Sequence, residues 1–178
     1  VALAATPMPE LRRGEVLVRV RAAAVTSGDA RLRAGRFPPG FGLPARLAVG
    51  VRGPRRRVLG GSLSGTVERV APGVDGFAPG DEVAGMTGAR FGAHAEFAAV
   101  PVVSLAHKPP GVSFADAAGV LFGGTTALSF VRDRARVRPG LTVLVNGASG
   151  AVGCAAVQLA KHLGAVVPTP DAGIGMVL

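Results

Sequence analysis

Residues 15–25, EVLVRVRAAAV, alternate in character. Val16, Val18 and Val20 share one face and Arg19 and Arg21 the other, which predicts a half-buried strand. Thr26-Ser27-Gly28-Asp29 breaks it and leads into a short helix over residues 30–34, with Asp29 as a candidate cap. Residues 37–54 read as a loop rich in Pro and Gly. Residues 58–70, VLGGSLSGTVERV, return to strand, and their glycines mark bulges or close backbone approach. After the turn Ala71-Pro72-Gly73, residues 77–83 form another turn leading into a strand, and residues 91–100 a further strand. Short strands between Pro/Gly turns predict a compact, barrel-like β unit.

The period then changes. Ser113-Phe114-Ala115-Asp116 is a capping box opening a helix through residues 118–121. Gly123-Gly124 follows, with Thr125 or Thr126 able to cap a second helical stretch over residues 127–134. Leu141-Thr142-Val143-Leu144-Val145, behind the turn pair Pro139-Gly140, reads as a strand buried on both faces. The turn Asn146-Gly147-Ala148-Ser149-Gly150-Ala151-Val152-Gly153 runs into a helix over residues 151–163. On it Val152, Ala155, Ala156, Leu159 and Leu163 share a face, and Gly164 stands where a left-handed residue ends a helix. Residues 165–167 start a second strand, which Pro168-Thr169-Pro170 stops.

This strand–turn–helix unit has specific chemistry. A helix N-terminus offers unpaired N–H groups and partial positive charge, so it attracts phosphate. Gly147 can take positive φ, Gly150 admits a pyrophosphate close to the backbone, and Gly153 allows close helix packing. The spacing is G-x-x-G-x-x-G. The bland alternative is a βα turn whose glycines serve packing alone.

With these residues in view, the chain resembles the medium-chain dehydrogenase/reductase superfamily, in its zinc-independent quinone oxidoreductase branch. The resemblance runs from about Gly14 to Val167, through GEVLVRVRAAAV, LRAG, GTVERVAPGV, FAPGDEV, GAHAEFAAVP, GGTTAL and VLVNGASGAVGCAAVQLAKHLG, in the family's order. It implies a mixed α/β chain. A GroES-like β-rich domain, residues 1–122, precedes the first βα unit of a Rossmann fold, residues 123–178, and the whole looks truncated. An internal deletion is the alternative, because DAGIGMVL at the end faintly resembles the family's last strand. The implied cofactor is NADPH, with NADH not excluded. Its implied contacts are Thr126, Asn146, Gly147, Ala148, Ser149, Gly150, Ala151, Val152 and Gly153. Thr26 and Asp29 fall at the substrate and nicotinamide end, where Thr26 replaces the family's Asn and its hydroxyl can contact a carbonyl oxygen. For Asp29 the capping reading stands equally. The acid that reads the ribose normally lies about 20 residues past the loop, where only Asp171 is found.

Zinc-dependent relatives place Cys and His where this chain has Thr26-Ser27-Gly28-Asp29 and Gly60-Gly61-Ser62, and one cysteine cannot supply a four-cysteine cluster. His94, His107 and His162 are scattered without ligand spacing and read as surface or packing residues. No bound zinc is expected. The implied reaction is hydride transfer to a quinone or an α,β-unsaturated carbonyl, with the proton from water. The rivals are an enoyl reductase of a polyketide or lipid pathway and a truncated, non-catalytic paralogue.

Composition changes little. The 178 residues are 48% hydrophobic, enough for a core, without a run of 18 uncharged apolar residues. The single Cys154 and the lack of a signal-like start suit a cytoplasmic protein. The net charge of +9 is almost all arginine, densest at Arg52 to Arg57. Without Tyr, Trp or a nucleic-acid motif, that run reads as a solvated loop and no specific nucleic-acid binding is expected. The remaining expectations are a small-molecule carbonyl or quinone substrate, no membrane, and a homo-oligomer.

Overall fold

A computed structural model of the chain describes residues 4–36 and 58–168. The loop at 37–54, the Arg52–Arg57 run, Thr169, Pro170, Asp171 and the last residues lie outside the described residues. The chain divides into two compact units, Val1–Gly119 and Val120–Leu178.

The first unit is an antiparallel sheet. Its strands are β1 (Glu15–Ala23), β2 (Ser62–Val70), β3 (Glu82–Met86), β4 (Phe97–Pro101) and β5 (Leu105–His107), in the order β4-β1-β2-β3-β5. The two outer strands are consecutive in sequence, joined only by the turn Val102–Ser104. Laid flat, four inter-strand spacings separate them by about 19 Å. A three-residue turn of this type rises roughly 6 Å. The sheet therefore curls back toward itself, as the barrel-like reading requires. The alternation in β1 has its physical cause here. Val16 and Val18 pack inside with Leu63, Val67, Val83, Ala98 and Val100, while Arg19 lies outside against Glu68 and the Phe97 ring. Gly65 of β2 is the close approach its glycines suggest, since a Cβ there would lie 2.1 Å from the Arg19 carbonyl oxygen, and the β1–β2 register shifts nearby between Val20 and Ala22.

Buried charges in this unit are satisfied, as burial demands. Glu15 accepts the Arg12 amide at 2.9 Å and pairs with Arg90. Lys108 meets Glu82 at 2.9 Å and donates to the Val112 carbonyl at 2.6 Å. One expectation is corrected. Residues 91–100 are not one strand: a 3-10 turn, Gly88–Arg90, leads to Phe91 at φ 54°, and only Phe97–Pro101 joins the sheet. The amides of Gly92, Ala93 and His94 bond instead to the Leu59 and Gly60 carbonyls, which withdraws them from the ladder.

Helix α1 (Ser27–Ala34) follows β1, and helix α2 (Phe114–Leu128) opens on the expected box, with Ser113 Oγ donating to Asp116 at 2.6 Å and accepting its amide at 3.1 Å. The expected break at Gly123-Gly124 is absent. Helix α2 runs through it and continues as a π turn, Ser129–Arg134. Thr125 and Thr126 are not N-caps. Their hydroxyls donate back to the Leu121 and Phe122 carbonyls, at 2.5 and 2.7 Å. Gly123 is kept for contact, because a Cβ there would lie 2.6 Å from the Ala151 carbonyl oxygen. Phe114–Arg134 is long and apolar enough to cross a membrane by length and composition alone. Ala117, Ala118, Ala127 and Val131 along it are buried within the protein.

In the second unit, helix α3 (Ala151–His162) covers a small core of Ala127, Val131, Val137, Ala156, Ala160 and Ala165. Its expected apolar face is there, with Val152, Ala155, Leu159 and Leu163 packed against this cluster. Gly164 takes φ 81°, and the Ala165 amide reaches the Ala160 carbonyl at 3.0 Å, the 6→1 bond of a Schellman end. The preceding strand is corrected. Residues 141–145 make one parallel bridge, Thr142 with Val166, and are buried on one face only. Val143 and Val145 face the cluster, whereas Leu144 is 84% exposed. No described segment lies over that second face.

Candidate functional site

The glycine turn is built by its backbone. Val145 ends the extended segment, and Gly147 turns the chain at φ 75°, where side chains are disfavoured. Its carbonyl accepts the Gly150 amide at 3.1 Å. Gly150 is the N-cap of α3, with φ −73° and ψ 160°, and its carbonyl accepts the Cys154 amide at 2.8 Å, the first helical bond. The amides of Ala151, Val152 and Gly153 belong to the first turn, which has no intrahelical acceptors. No side chain caps this end. Three N–H groups and the positive end of the helix dipole are thus left for an anion.

The two later glycines are needed for different reasons. A Cβ on Gly153 would lie 2.1 Å from the Gly147 carbonyl oxygen, so the turn rests directly on the helix. A Cβ on Gly150 would meet nothing nearer than that same oxygen at 3.6 Å. The fold itself has room for a side chain at 150, and the space is open. Asn146 and Ser149 are exposed around it, and Ala148 is half-buried. The set suits a pyrophosphate, for which open space and convergent amides are the requirements. Thr126 lies one helical turn beyond Gly123, the residue that touches Ala151. Its hydroxyl proton is engaged by Phe122, while its oxygen lone pairs remain. Gly123 itself was not legible as a contact in the sequence. Its signal is a glycine pair inside an otherwise continuous capped helix.

The other expected residues, Thr26 and Asp29, form a closed local pair in the first unit. Thr26 is the N-cap of α1 and Asp29 its third residue. Asp29 accepts from the Thr26 amide at 2.8 Å and from its hydroxyl at 2.7 Å, and its own amide donates to Thr26 Oγ1 at 3.2 Å. The helix thus starts at Ser27 rather than Ala30, with Thr26 capping and Asp29 reciprocating. A substrate carbonyl at Thr26 has to compete with a carboxylate for the one hydroxyl proton. His94, read from sequence as packing, stands beside this pair. Its Nε2 lies 3.0 Å from the Ala24 carbonyl oxygen, which only accepts, so Nε2 carries the hydrogen. Gly60 makes way for the ring: a Cβ there would lie 2.6 Å from His94 Cδ2. His107 stacks on Phe77 and bonds the Gly76 carbonyl, and His162 lies in the last turn of α3.

A cavity of about 540 Å³ in the first unit is lined by Glu10, Arg12, Glu15, Arg90, Phe91 and Phe97, among others. It reaches from Glu15 at the start of β1 to Phe97 in β4, and neither Thr26 nor Asp29 lines it. Among the described residues, no three of His, Cys, Asp and Glu come together as a metal site. Arg132 and Asp133 form an exposed pair on the surface. The hydrogen bond from Arg132, at 2.7 Å, holds the Asp133 carboxyl below its ordinary range, and the same bond raises Arg132.

Comparison with known proteins agrees with this fold. The alcohol dehydrogenase GroES-like domain family matches residues 12–110. Erythronolide synthase EryA2 of Saccharopolyspora erythraea is 40% identical over 157 residues, which cover 88% of this chain and 4% of that protein. A quinone oxidoreductase of Pseudomonas aeruginosa is 37% identical over 150 residues, covering 84% of this chain and 42% of the enzyme. Mycobacterial Rv1454c complexed with NADPH superposes with a TM-score of 0.72 at 31% identity, over 94% of this chain and 49% of that one. The chain thus spans about half the length of the separate enzymes it matches, and a small segment of the synthase.

Proposed function

The chain belongs to the medium-chain dehydrogenase/reductase superfamily, whose members matched here are oxidoreductases, and on that premise we propose that it serves NADPH-dependent, zinc-independent reduction of a quinone or an α,β-unsaturated carbonyl. When bound, the nicotinamide supplies the hydride. The chain's own residues bind and position. The amides of Ala151, Val152 and Gly153 hold the pyrophosphate, with Asn146, Gly147, Ala148 and Ser149 lining its approach. Thr126 offers its lone pairs to the cofactor. Thr26, steadied by Asp29, offers its hydroxyl to the substrate carbonyl, and water supplies the proton. Thr26-Ser27-Gly28-Asp29 and Gly60-Gly61-Ser62 contain no metal-binding side chain of the zinc-dependent kind, which supports the zinc-independent reading. One zinc per chain in purified protein overturns that part. The cytoplasmic, homo-oligomeric setting belongs to the same proposal.

The observation that carries the reading is the pairing of open space at Gly150 with unfilled amides at the start of α3. The test is Gly150→Val. The fold accommodates the side chain, so the circular dichroism spectrum is expected to stay unchanged while NADPH binding, followed by fluorescence titration, disappears. Unchanged affinity in the folded variant overturns the assignment. The matched segment of a polyketide synthase favours a second reading, an enoyl reductase acting on acyl thioesters. A turnover screen of acyl-thioester enoates against quinones separates the two.

A further inference from the structure

The second unit carries a cluster of cations with no counter-ion among its described residues. Among its described residues Asp133 is the only acid, and Arg132 occupies it at 2.7 Å. Arg134, Arg136 and Arg138 follow at every second position, all exposed. None of the three guanidinium groups makes a hydrogen bond or ion pair with any described residue. Three guanidinium groups within five residues repel one another, and no described residue of the unit offsets that.

The backbone beneath them is fixed. Val131 and Val137 are buried in the alanine-rich core, and the Ala135 and Val137 amides bond to the Phe130 and Val131 carbonyls at 2.8 and 3.0 Å. Between these anchors Arg136 is held at φ 50°. Glycine adopts that conformation without strain, and this chain uses glycine at Gly140, Gly147 and Gly164 for it. An arginine at such a position keeps a guanidinium there against the local backbone preference. Phe130, 64% exposed, stands one turn before Arg134 on the same helical face.

We propose that Phe130, Arg134, Arg136 and Arg138 form a docking surface for the acidic face of another protein domain. The chemistry favours protein over the other polyanions. An exposed phenyl ring flanked by arginines is the usual composition of an interface centre. Three arginines within five residues reach too few phosphates for strong duplex binding, and the chain has neither Tyr nor Trp for stacking on single strands. The EryA2 relative holds the matching segment as 4% of a much longer chain, a setting in which such a segment has neighbouring domains to meet. The surface is separate from the glycine turn and does not rest on the cofactor reading.

The test uses the 178-residue chain and a fluorescein-labelled, glutamate-rich 20-residue peptide, with binding followed by anisotropy at about 50 mM and 200 mM salt. A labelled 20-nucleotide single strand and vesicles of phosphatidylcholine with phosphatidylglycerol are parallel probes. Arg134→Gln, Arg136→Gln and Arg138→Gln combined are expected to weaken peptide binding at least tenfold. The same change at Arg55, Arg56 and Arg57 is expected to alter it less than twofold. Phe130→Ala is expected to weaken binding with its salt dependence retained. Arg136→Gly sharpens the point. It relieves the backbone, so it should raise the melting temperature while lowering affinity for the peptide. Equal losses in both arginine triples overturn the proposal in favour of net charge alone. Binding of DNA or vesicles in preference to the peptide, lost in the first triple, overturns the choice of a protein partner.

Discussion

The two units bury their chains by different means. In the first, every strand has an antiparallel partner, although β1 meets β2 and β4 across long stretches of chain, and β4 and β5 bring the ends of the sheet round through three residues. Its core is of large side chains, with Val16, Leu17, Val18, Leu63, Val83 and Val100 at full burial. In the second, the extended segment 141–145 runs parallel to Val166, and one bridge is its pairing among the described residues. Its core is mostly alanine, and Leu144 and Val166 are left outside. Antiparallel pairs close locally, whereas a parallel sheet needs further strands and a second covering layer. The site chemistry divides the same way. The glycine turn, with its three first-turn amides and three glycines, lies wholly within the second unit. The Thr26–Asp29 pair is complete within the first.

The comparison is broken most severely in the first core. Leu63→Ala is expected to cost about 2–5 kcal/mol, since a fully buried side chain leaves a cavity that a curled sheet cannot collapse around. A urea melt measures it. A loss below about 1 kcal/mol means that the first unit is as loosely packed as the second. Gly153→Ala comes next, because its Cβ would collide with the Gly147 carbonyl oxygen and force the turn off the helix. A cost of roughly 1–3 kcal/mol is expected, together with loss of NADPH binding. Gly164→Ala is smaller, about 1 kcal/mol by thermal melt, for a left-handed helix end with Pro139 close by.

Much of this division was legible in the sequence. The alternation of Val16, Val18 and Val20 with arginines marks a strand with one dry face, and the sheet buries that face, but it buries Glu15 and Leu17 on the other face as well, which the alternation did not show. The spacing Gly147, Gly150, Gly153 between an apolar run and an amphipathic helix gave the turn, because each glycine answers a local steric demand. Two features were not legible for a common reason. Gly123-Gly124 reads as a break, yet Gly123 packs on the Ala151 carbonyl, a contact 28 residues away that no local propensity reveals. LTVLV reads as a strand buried twice, since periodicity reports apolarity and not whether a cover is present. His94 was invisible as a neighbour of Thr26, because only the fold brings residue 94 to the end of β1.

The exposed face of the second unit gives the smallest effect on stability and the sharpest contrast. The Val143 amide and the Leu141 carbonyl bond to Val166, so the alternating N–H and C=O of Thr142 and Leu144 point to the other edge. An apolar edge with unpaired groups is a template for a second copy. The 178-residue chain is therefore expected to self-associate through residues 141–145, and to bind NADPH far more weakly than a full-length relative, with little or no turnover. Leu144→Lys isolates the cause. The side chain touches no core, so stability should change by less than about 0.5 kcal/mol. The charge opposes edge pairing, so light scattering at increasing concentration should shift from oligomer to monomer. Oligomers that persist in Leu144→Lys place the association elsewhere on the molecule. A wild-type monomer that binds NADPH tightly and turns over a quinone shows that the second unit, with its single bridge and alanine core, is already sufficient for the reaction.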